Sequence, residues 1–277
     1  MKTIMEIMKM IDLQEEVINL VLGEINHLNF KKFETDILDL LDINKAIEAK
    51  EKLKEALDPD DNNMKMLACM LYALTFTYER YLEKGISDEI FIDTMKAFRR
   101  FLDEHYAGNQ TWKFDRAWWT HRQIAMTIFR IGELEYEMKD DDNGKYISIH
   151  IPSDANLSSE KVNESFNSAF KFFEEFYPEY SDVNYRCRSW LLSSDLLNLL
   201  PEDANIIKFR SLFEIIDESY GQTGFIKWIY KTEYENYEEL PEDTTLQRNL
   251  KQYLLNGGSI STALGFLKKD LIFLKKL

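Results

Sequence analysis

The stretch that decides the fold is residues 128–154, IFRIGELEYEMKDDDNGKYISIHIPSD. Three glutamates alternate with apolar residues before the DDDNG cluster, and three isoleucines alternate with polar residues after it. A period of two is typical of a β-strand, and two such runs around an Asn-Gly predict a β-hairpin. The second run ends in a histidine followed by Pro-Ser-Asp, so it also suggests where a site could lie.

Outward from this hairpin, the chain changes character. Residues 1–130 have helical periodicity, with predicted helices over 3–23, 33–42, 44–57, 64–85, 87–108 and 115–129. From Ile131 the predicted order is β-β-α-β-α-β-β-α-β. The strands after the hairpin are predicted at VNYRCRSWLL, SLFEIIDES and FIKWIY, with TALGFL and LIFLKKL as edge strands, and a helix over 193–209 breaks at Pro201. The fold class is therefore α+β, with a helical domain over 1–130 and a mixed-sheet domain over 131–277.

Composition limits the classes of partner. The net charge is −15 and the pI is about 4.8, and no basic stripe is visible. Since phosphate binding needs such a stripe, we expect neither a nucleic-acid nor a membrane partner. The two cysteines have no CxxC spacing, so no metal site or disulfide framework is indicated. The N-terminus has acidic residues inside its apolar run and suits no secretory signal, so we expect a cytoplasmic protein; the sequence leaves the oligomeric state open.

Three segments carry a family resemblance: residues 150–215, from HIPSDANLSSEK to KFRSLFEI, LPEDTTLQRNLKQYLLNGG at 240–258, and IFRIGELEYE at 128–137. They resemble bacterial acyltransferases that have a helical N-terminal domain and a GNAT-like C-terminal domain. The resemblance implies a GNAT-like mixed β-sheet flanked by helices. It also implies a small-molecule substrate, with transfer of an acyl group from acyl-CoA or acetyl-CoA to a small amine or hydroxyl acceptor.

The sequence departs from the wider GNAT pattern at the cofactor loop. Those enzymes bind the CoA pyrophosphate with backbone N–H groups of a [Q/R]xxGx[G/A] loop at a helix N-terminus, and this chain has no such loop. The helix predicted near Thr244 follows the acidic stretch 233–243, whose carboxylates would repel a pyrophosphate. The alternative function is therefore a non-catalytic ligand-binding or interaction protein that keeps the fold without binding CoA.

His150, Glu135 and Asp154 are the predicted catalytic residues. A histidine at a strand end could act as a general base because its pKa lies near neutrality. The competing interpretation is that His150 hydrogen-bonds the following turn while Asp154 caps the next helix, as polar residues at strand ends often do. A glutamate on the first hairpin strand could pair with His150 across the ladder. Three alternating carboxylates are, however, more usually a solvated face of the sheet, which is the favoured interpretation.

Trp118, Trp119, Tyr185 and Arg188 are the predicted substrate-binding residues. The two tryptophans lie in an aromatic-rich helix that leads into the hairpin, and such density lines either a ligand pocket or a domain interface. Tyr185 and Arg188 lie on a predicted strand, where arginines could hold an anionic group or pair internally with nearby glutamates. Cys187 on the same strand is interpreted as a small core residue.

Overall fold

The computed structural model describes residues 1–234, 236–268 and 271. The chain divides into two compact units, Met1–Arg130 and Ile131–Leu277.

The first unit is helical. Its most buried helix is α5, on which thirteen residues are buried. Ser87 caps the following helix, because its hydroxyl accepts from the backbone N–H of Ile90. The helices are α1 (Ile4–Met10), α2 (Glu15–Ile25), α3 (Glu34–Asp39), α4 (Ile43–Ala56), α5 (Met64–Lys84), α6 (Asp88–Asn109) and α7 (Ala117–Ile124), with a short 3-10 helix at Phe30–Phe33.

The single helix predicted over 3–23 is wrong, because the chain breaks between α1 and α2. Asp12 has a φ of 53°, in the left-handed region, which ends the α-helical ladder. Apolar residues on both sides of the break are still buried, among them Ile11 and Leu13. The periodicity therefore reported the buried stripe correctly but not the break in the backbone.

The second unit is built on a mixed sheet. In its described part the strand order is β1-β2-β3-β4-β6-β5, and β3 and β4 form a parallel pair joined through α8. The α+β class predicted from the sequence is confirmed. The elements are β1 (Ile128–Ile131), β2 (Leu134–Asp141), β3 (Gly144–His150), α8 (Ser159–Phe176), β4 (Asn184–Ser189), α9 (Asn205–Ser211), β5 (Phe213–Ser219), α10 (Gly224–Tyr230), α11 (Thr245–Leu255) and β6 (Thr262–Leu267), with 3-10 helices at Pro178–Tyr180, Trp190–Leu192, Ser194–Asn198 and Tyr237–Glu239.

The predicted hairpin is β2–β3. Asp141 pairs with Gly144, so the loop consists of Asp142 and Asn143, and Gly144 has a φ of 95°. From this register the two faces of the sheet follow, because side chains alternate along each strand. One face carries Tyr136, Ile147, Ile149, Tyr185 and Cys187, which we call the core face.

Helix α8 covers the core face with aromatic side chains. The ring of Tyr136 lies 6.4 Å from that of Phe173 and the ring of Tyr185 lies 5.1 Å from that of Phe170, both edge-on. Ser165 of α8 bonds the hydroxyl of Tyr136 at 2.8 Å and accepts from the backbone N–H of Leu134. A Cβ at Gly132, which has a φ of 64°, would lie 3.1 Å from the Cβ of Ser165, so this close approach favours glycine.

Other predictions for the second unit need correction. FIKWIY is the helix α10 rather than a strand, because Phe225, Ile226 and Tyr230 share a buried helical face. TALGFL is a strand but lies between β4 and β5, so it is not an edge strand. The segment 193–209 forms a 3-10 helix before Pro201 and α9 after it. The strand predicted at LIFLKKL lies outside the described residues except for Leu271.

Candidate functional site

The candidate site lies where the parallel strands β3 and β4 end. Their pairing stops at Ile149 opposite Cys187, and His150 and Arg188 are the next positions along each strand. Ligands of open α/β sheets bind in the crevice outside the carboxyl ends of the parallel strands. His150 and Arg188 also share the face opposite the core face, which we call the polar face.

A carboxylate–imidazole pair with a buried carboxylate and a partly exposed imidazole occupies this position. Glu135 lies opposite His150 in the ladder and Glu137 lies opposite Ser148. The hydrogen bond nevertheless runs diagonally, with Oε2 of Glu137 2.9 Å from Nε2 of His150. Glu137 is 2% exposed and Glu135 is 3% exposed. The favoured sequence interpretation, a solvated face, is therefore wrong for these two glutamates.

The loop after β3 has its own hydrogen bonds. The backbone N–H of Ala155 donates to the carbonyl of Pro152 at 3.1 Å, which closes the turn. The helix N-cap is Ser158, four residues beyond Asp154, so the interpretation of Asp154 as the cap is wrong. Asp154 is instead an exposed residue of the loop at the carboxyl end of β3.

Two helix N-termini in this unit differ in how they are capped. Thr244 accepts from the N–H of Gln247, whose side chain returns the bond, so α11 has a complete capping box. Ser158 makes no side-chain bond to the first turn of α8, which is 18 residues long and is the next element after β3. The uncapped first-turn N–H groups of α8 are the kind of donor that binds anions.

Trp118 and Trp119 belong to the first unit. Trp118 is 50% exposed and meets Trp119 edge-on, with ring centroids 5.7 Å apart. The guanidinium of Arg122 lies 4.3 Å from the Trp119 ring centroid, a cation–π contact. Within this pair on α7, Trp118 is the exposed ring and Trp119 is half-buried.

The predicted residues of β4 separate onto the two faces. Tyr185 is buried on the core face, and its hydroxyl finds no hydrogen-bond partner among the described residues; burial raises the pKa of this phenol. The structure does not bring Tyr185 to His150. Arg188 is on the polar face, half exposed, 3.6 Å from Asp217. Cys187 is buried in the core as predicted, and burial raises the pKa of its thiol to about 12.

A second polar cluster, which the sequence did not indicate, centres on Asp195. Its carboxylate accepts from the Ser193 hydroxyl at 2.9 Å, the Ser261 backbone N–H at 3.1 Å and the Tyr253 hydroxyl at 3.0 Å. Burial raises the pKa of this carboxyl, but these bonds and one from Tyr220 outweigh burial and lower it. Asp195 therefore ties the chain after β4 to β6 and α11.

We expect Asp195→Asn to lower the free energy of unfolding by about 2 kcal/mol at pH 7, because an amide loses one charge-assisted acceptor site. A lowered folded-state pKa means that the stabilisation is present above the ordinary value of 3.8 and is lost as pH falls through the folded value. Urea unfolding of both proteins at pH 7 and near pH 3 measures this. An equal difference at both pH values would contradict the assignment.

Among the described residues, no group of histidine, cysteine, aspartate and glutamate side chains could hold a metal ion. Within the same residues, no helix has the length and apolar character needed to cross a membrane.

The strand order, the parallel pair joined through a helix and the polar residues at its carboxyl end define a GNAT-like α+β protein. Residues 128–267 match the GNAT-like C-terminal domain and residues 2–126 match the N-acyltransferase N-terminal domain. The chain belongs to the family that joins these two domains. The family and the GNAT-like fold predicted from the sequence are confirmed, and no curated protein matches the chain.

Solved acyltransferases share the fold. One, in complex with decanoyl-CoA and teicoplanin, has a TM-score of 0.68 and 22% identity over 74% of this chain and 66% of that one. Another, in complex with CoA and 10C-teicoplanin, has the same values. A third, in complex with decanoyl-CoA, has a TM-score of 0.69 and 21% identity over 73% of this chain. This chain spans less than two thirds of the length of these proteins, and at such identity the likeness shows the fold.

Proposed function

We propose that the chain is an acyltransferase that moves an acyl group from acyl-CoA to a small amine or hydroxyl acceptor. In this proposal residues 131–277 carry the reaction and residues 1–130 form the helical N-terminal domain. The observation that supports it is the Glu137–His150 pair at 2.9 Å, at the carboxyl end of the parallel strands of a GNAT-like sheet. The acyl-CoA complexes of similar structures support acyl-CoA as the donor.

His150 is the general base. With Nε2–H donated to the Glu137 carboxylate, the imidazole carries its lone pair on Nδ1. Nδ1 would take the proton from the acceptor while the acceptor nitrogen or oxygen bonds to the thioester carbonyl carbon. The carbon–sulfur bond then breaks, and the proton passes to the departing sulfur. Glu137 would stabilise the imidazolium formed in between, as a carboxylate does in a catalytic triad.

The first turn of α8 is the proposed binding site for the anionic part of CoA, through its backbone N–H groups and against the opposing charge of Glu160 in the same turn. The first-turn N–H groups are uncapped by Ser158, and the helix dipole of 18 residues favours negative charge there. When bound, acyl-CoA would supply the thioester that the acceptor attacks. In this proposal backbone N–H groups bind the pyrophosphate without the glycine motif of the GNAT loop. The chain therefore still departs from the GNAT loop pattern.

The other predicted residues have separate proposed roles. Glu135 and Asp154 are proposed to contact the acceptor side of the site, since Glu135 lies opposite His150 and Asp154 follows it in the loop. Arg188 is proposed to bind substrate at the end of β4, where it shares the polar face with His150. The exposed Trp118 and its neighbour Trp119 are proposed to stack on a substrate.

The test is calorimetric titration of acetyl-CoA, octanoyl-CoA and decanoyl-CoA into the full chain. We expect one molecule to bind, and Ser159→Asp in the first turn of α8 to weaken binding about tenfold by repelling the pyrophosphate. The matched control is Thr245→Asp in the first turn of α11, which should bind as the wild type does. Both positions are exposed and an N-terminal aspartate suits a helix, so both variants should fold.

The outcomes separate the two candidate functions. Binding followed by acyl transfer to teicoplanin or ethanolamine, used as acceptor probes, supports the enzyme. No heat with any of the three donors at millimolar concentration would exclude the acyltransferase and leave the non-catalytic ligand-binding protein. Equal weakening by both aspartates would show that α8 does not hold the donor.

A further inference from the structure

The carboxylate that faces His150 has a second partner on its own strand. Nζ of Lys139 lies 2.8 Å from Oε1 of Glu137, while His150 meets Oε2. Glu137 and Lys139 are two residues apart on β2, so both side chains lie on the polar face. One oxygen of the carboxylate is thus bound by lysine and the other by the imidazole.

The pair differs from ordinary surface ion pairs of this chain. In Lys52–Glu48 both side chains are more than half exposed, and in Lys161–Glu164 both are about half exposed. Such pairs contribute little because water solvates both charges. The Glu137 side chain is 3% exposed while that of Lys139 is 39% exposed. A buried carboxylate needs partners with good geometry. The Lys139 ammonium therefore has a larger effect on the orientation of Glu137 than a lysine has in those exposed pairs.

We propose that Lys139 is a positioning residue for acyl transfer: by binding Oε1 of Glu137 it turns Oε2 toward Nε2 of His150 and so holds the imidazole with its lone pair on Nδ1. This inference rests on the proposed function, in which Nδ1 takes the acceptor proton. A carboxylate can rotate about its last side-chain bond, and a bond to one oxygen fixes the direction of the other. Lys139 itself touches neither acceptor nor donor in this role.

The geometry also predicts how substitutions should behave. Lys139→Met keeps the length of the aliphatic stem but removes the ammonium, and the exposed head means that the loss opens no cavity. Lys139→Arg keeps a donor in reach of Oε1. Lys145 on β3 is the matched control, because it is an exposed lysine of the same hairpin whose ammonium lies over the Tyr180 ring instead.

Two measurements test the proposal. In ¹⁵N-histidine-labelled protein without ligand, the Nδ1 and Nε2 shifts of His150 report its tautomer, and His150→Gln identifies its signals among the four histidines. With decanoyl-CoA and teicoplanin as probes, kcat and KM report the reaction. For Lys139→Met we expect a mixed tautomer and a kcat reduced about 10- to 100-fold with KM unchanged. Lys139→Arg should restore both, and Lys145→Met should change neither.

The results distinguish failure of this inference from failure of the proposed function. An unchanged His150 tautomer in Lys139→Met would overturn the positioning role, whatever the activity. A loss of kcat that Lys139→Arg does not restore would also overturn it. Absence of acyl transfer by the wild type to both teicoplanin and ethanolamine would remove the proposed function, while the ligand-free shifts would still decide whether Lys139 orders the pair.

Discussion

Replacing His150 by alanine is expected to lower kcat for acyl transfer about 10²- to 10⁴-fold, the usual contribution of a general base. The acceptor would then lose its proton to water rather than to a base held by Glu137 at 2.9 Å. Acyl-CoA binding should stay the same, because the proposed pyrophosphate donors are backbone groups of α8. Release of free thiol from decanoyl-CoA in the presence of teicoplanin gives kcat, and calorimetry gives the dissociation constant.

The matched control is His27→Ala, which removes an exposed histidine of the helical unit and should leave kcat unchanged. Glu137→Gln should lower kcat as well, because an amide can donate to the imidazole and permit the other tautomer. A kcat for His150→Ala within twofold of the wild type would exclude His150 as the base. Weakened acyl-CoA binding with unchanged kcat would instead place the side chain in the donor site.

The hairpin was predictable because its signals are local. The alternation of β2 and β3 and the Asx-Gly turn are readable within twenty residues, and Gly144 has the positive φ that such a turn requires. The same local reasoning predicts the wrong structure for FIKWIY, because a six-residue apolar run is compatible with either a strand or a short helix. Its buried contacts, such as those of Phe225 and Tyr230 with the cluster that includes Leu250, decide in favour of the helix.

The site was less predictable because it depends on burial and on side-chain direction. The sequence could place a glutamate opposite His150, but the ladder partner Glu135 is not the residue that binds Nε2; Glu137 reaches it diagonally. The burial of both glutamates comes from tertiary packing, which alternation does not reveal. The sequence pointed to the helix near Thr244 as the place for a cofactor loop. The helix that follows the parallel strand β3 is instead α8.

Replacing Phe173 by alanine is expected to lower the free energy of unfolding by about 3–5 kcal/mol, the usual cost of removing a buried phenylalanine ring. Phe173 is fully buried between α8 and the core face, with its ring 6.4 Å from those of Tyr136 and Tyr185. The cavity would lie against the strands β2 and β4, which cannot collapse without breaking their ladders. Guanidinium unfolding of the full chain, followed by circular dichroism, measures the change.

Phe176→Ala is the matched control, because Phe176 lies one turn further on the same helix and is only partly buried. Its loss should cost about 1 kcal/mol, in proportion to the smaller apolar area withdrawn from water. The difference between the two variants therefore isolates the burial of Phe173 from the helix propensity of alanine, which is the same in both. Equal losses of unfolding free energy would mean that Phe173 of α8 does not cover the core face. The strand end that carries His150 would then be held in place by other contacts.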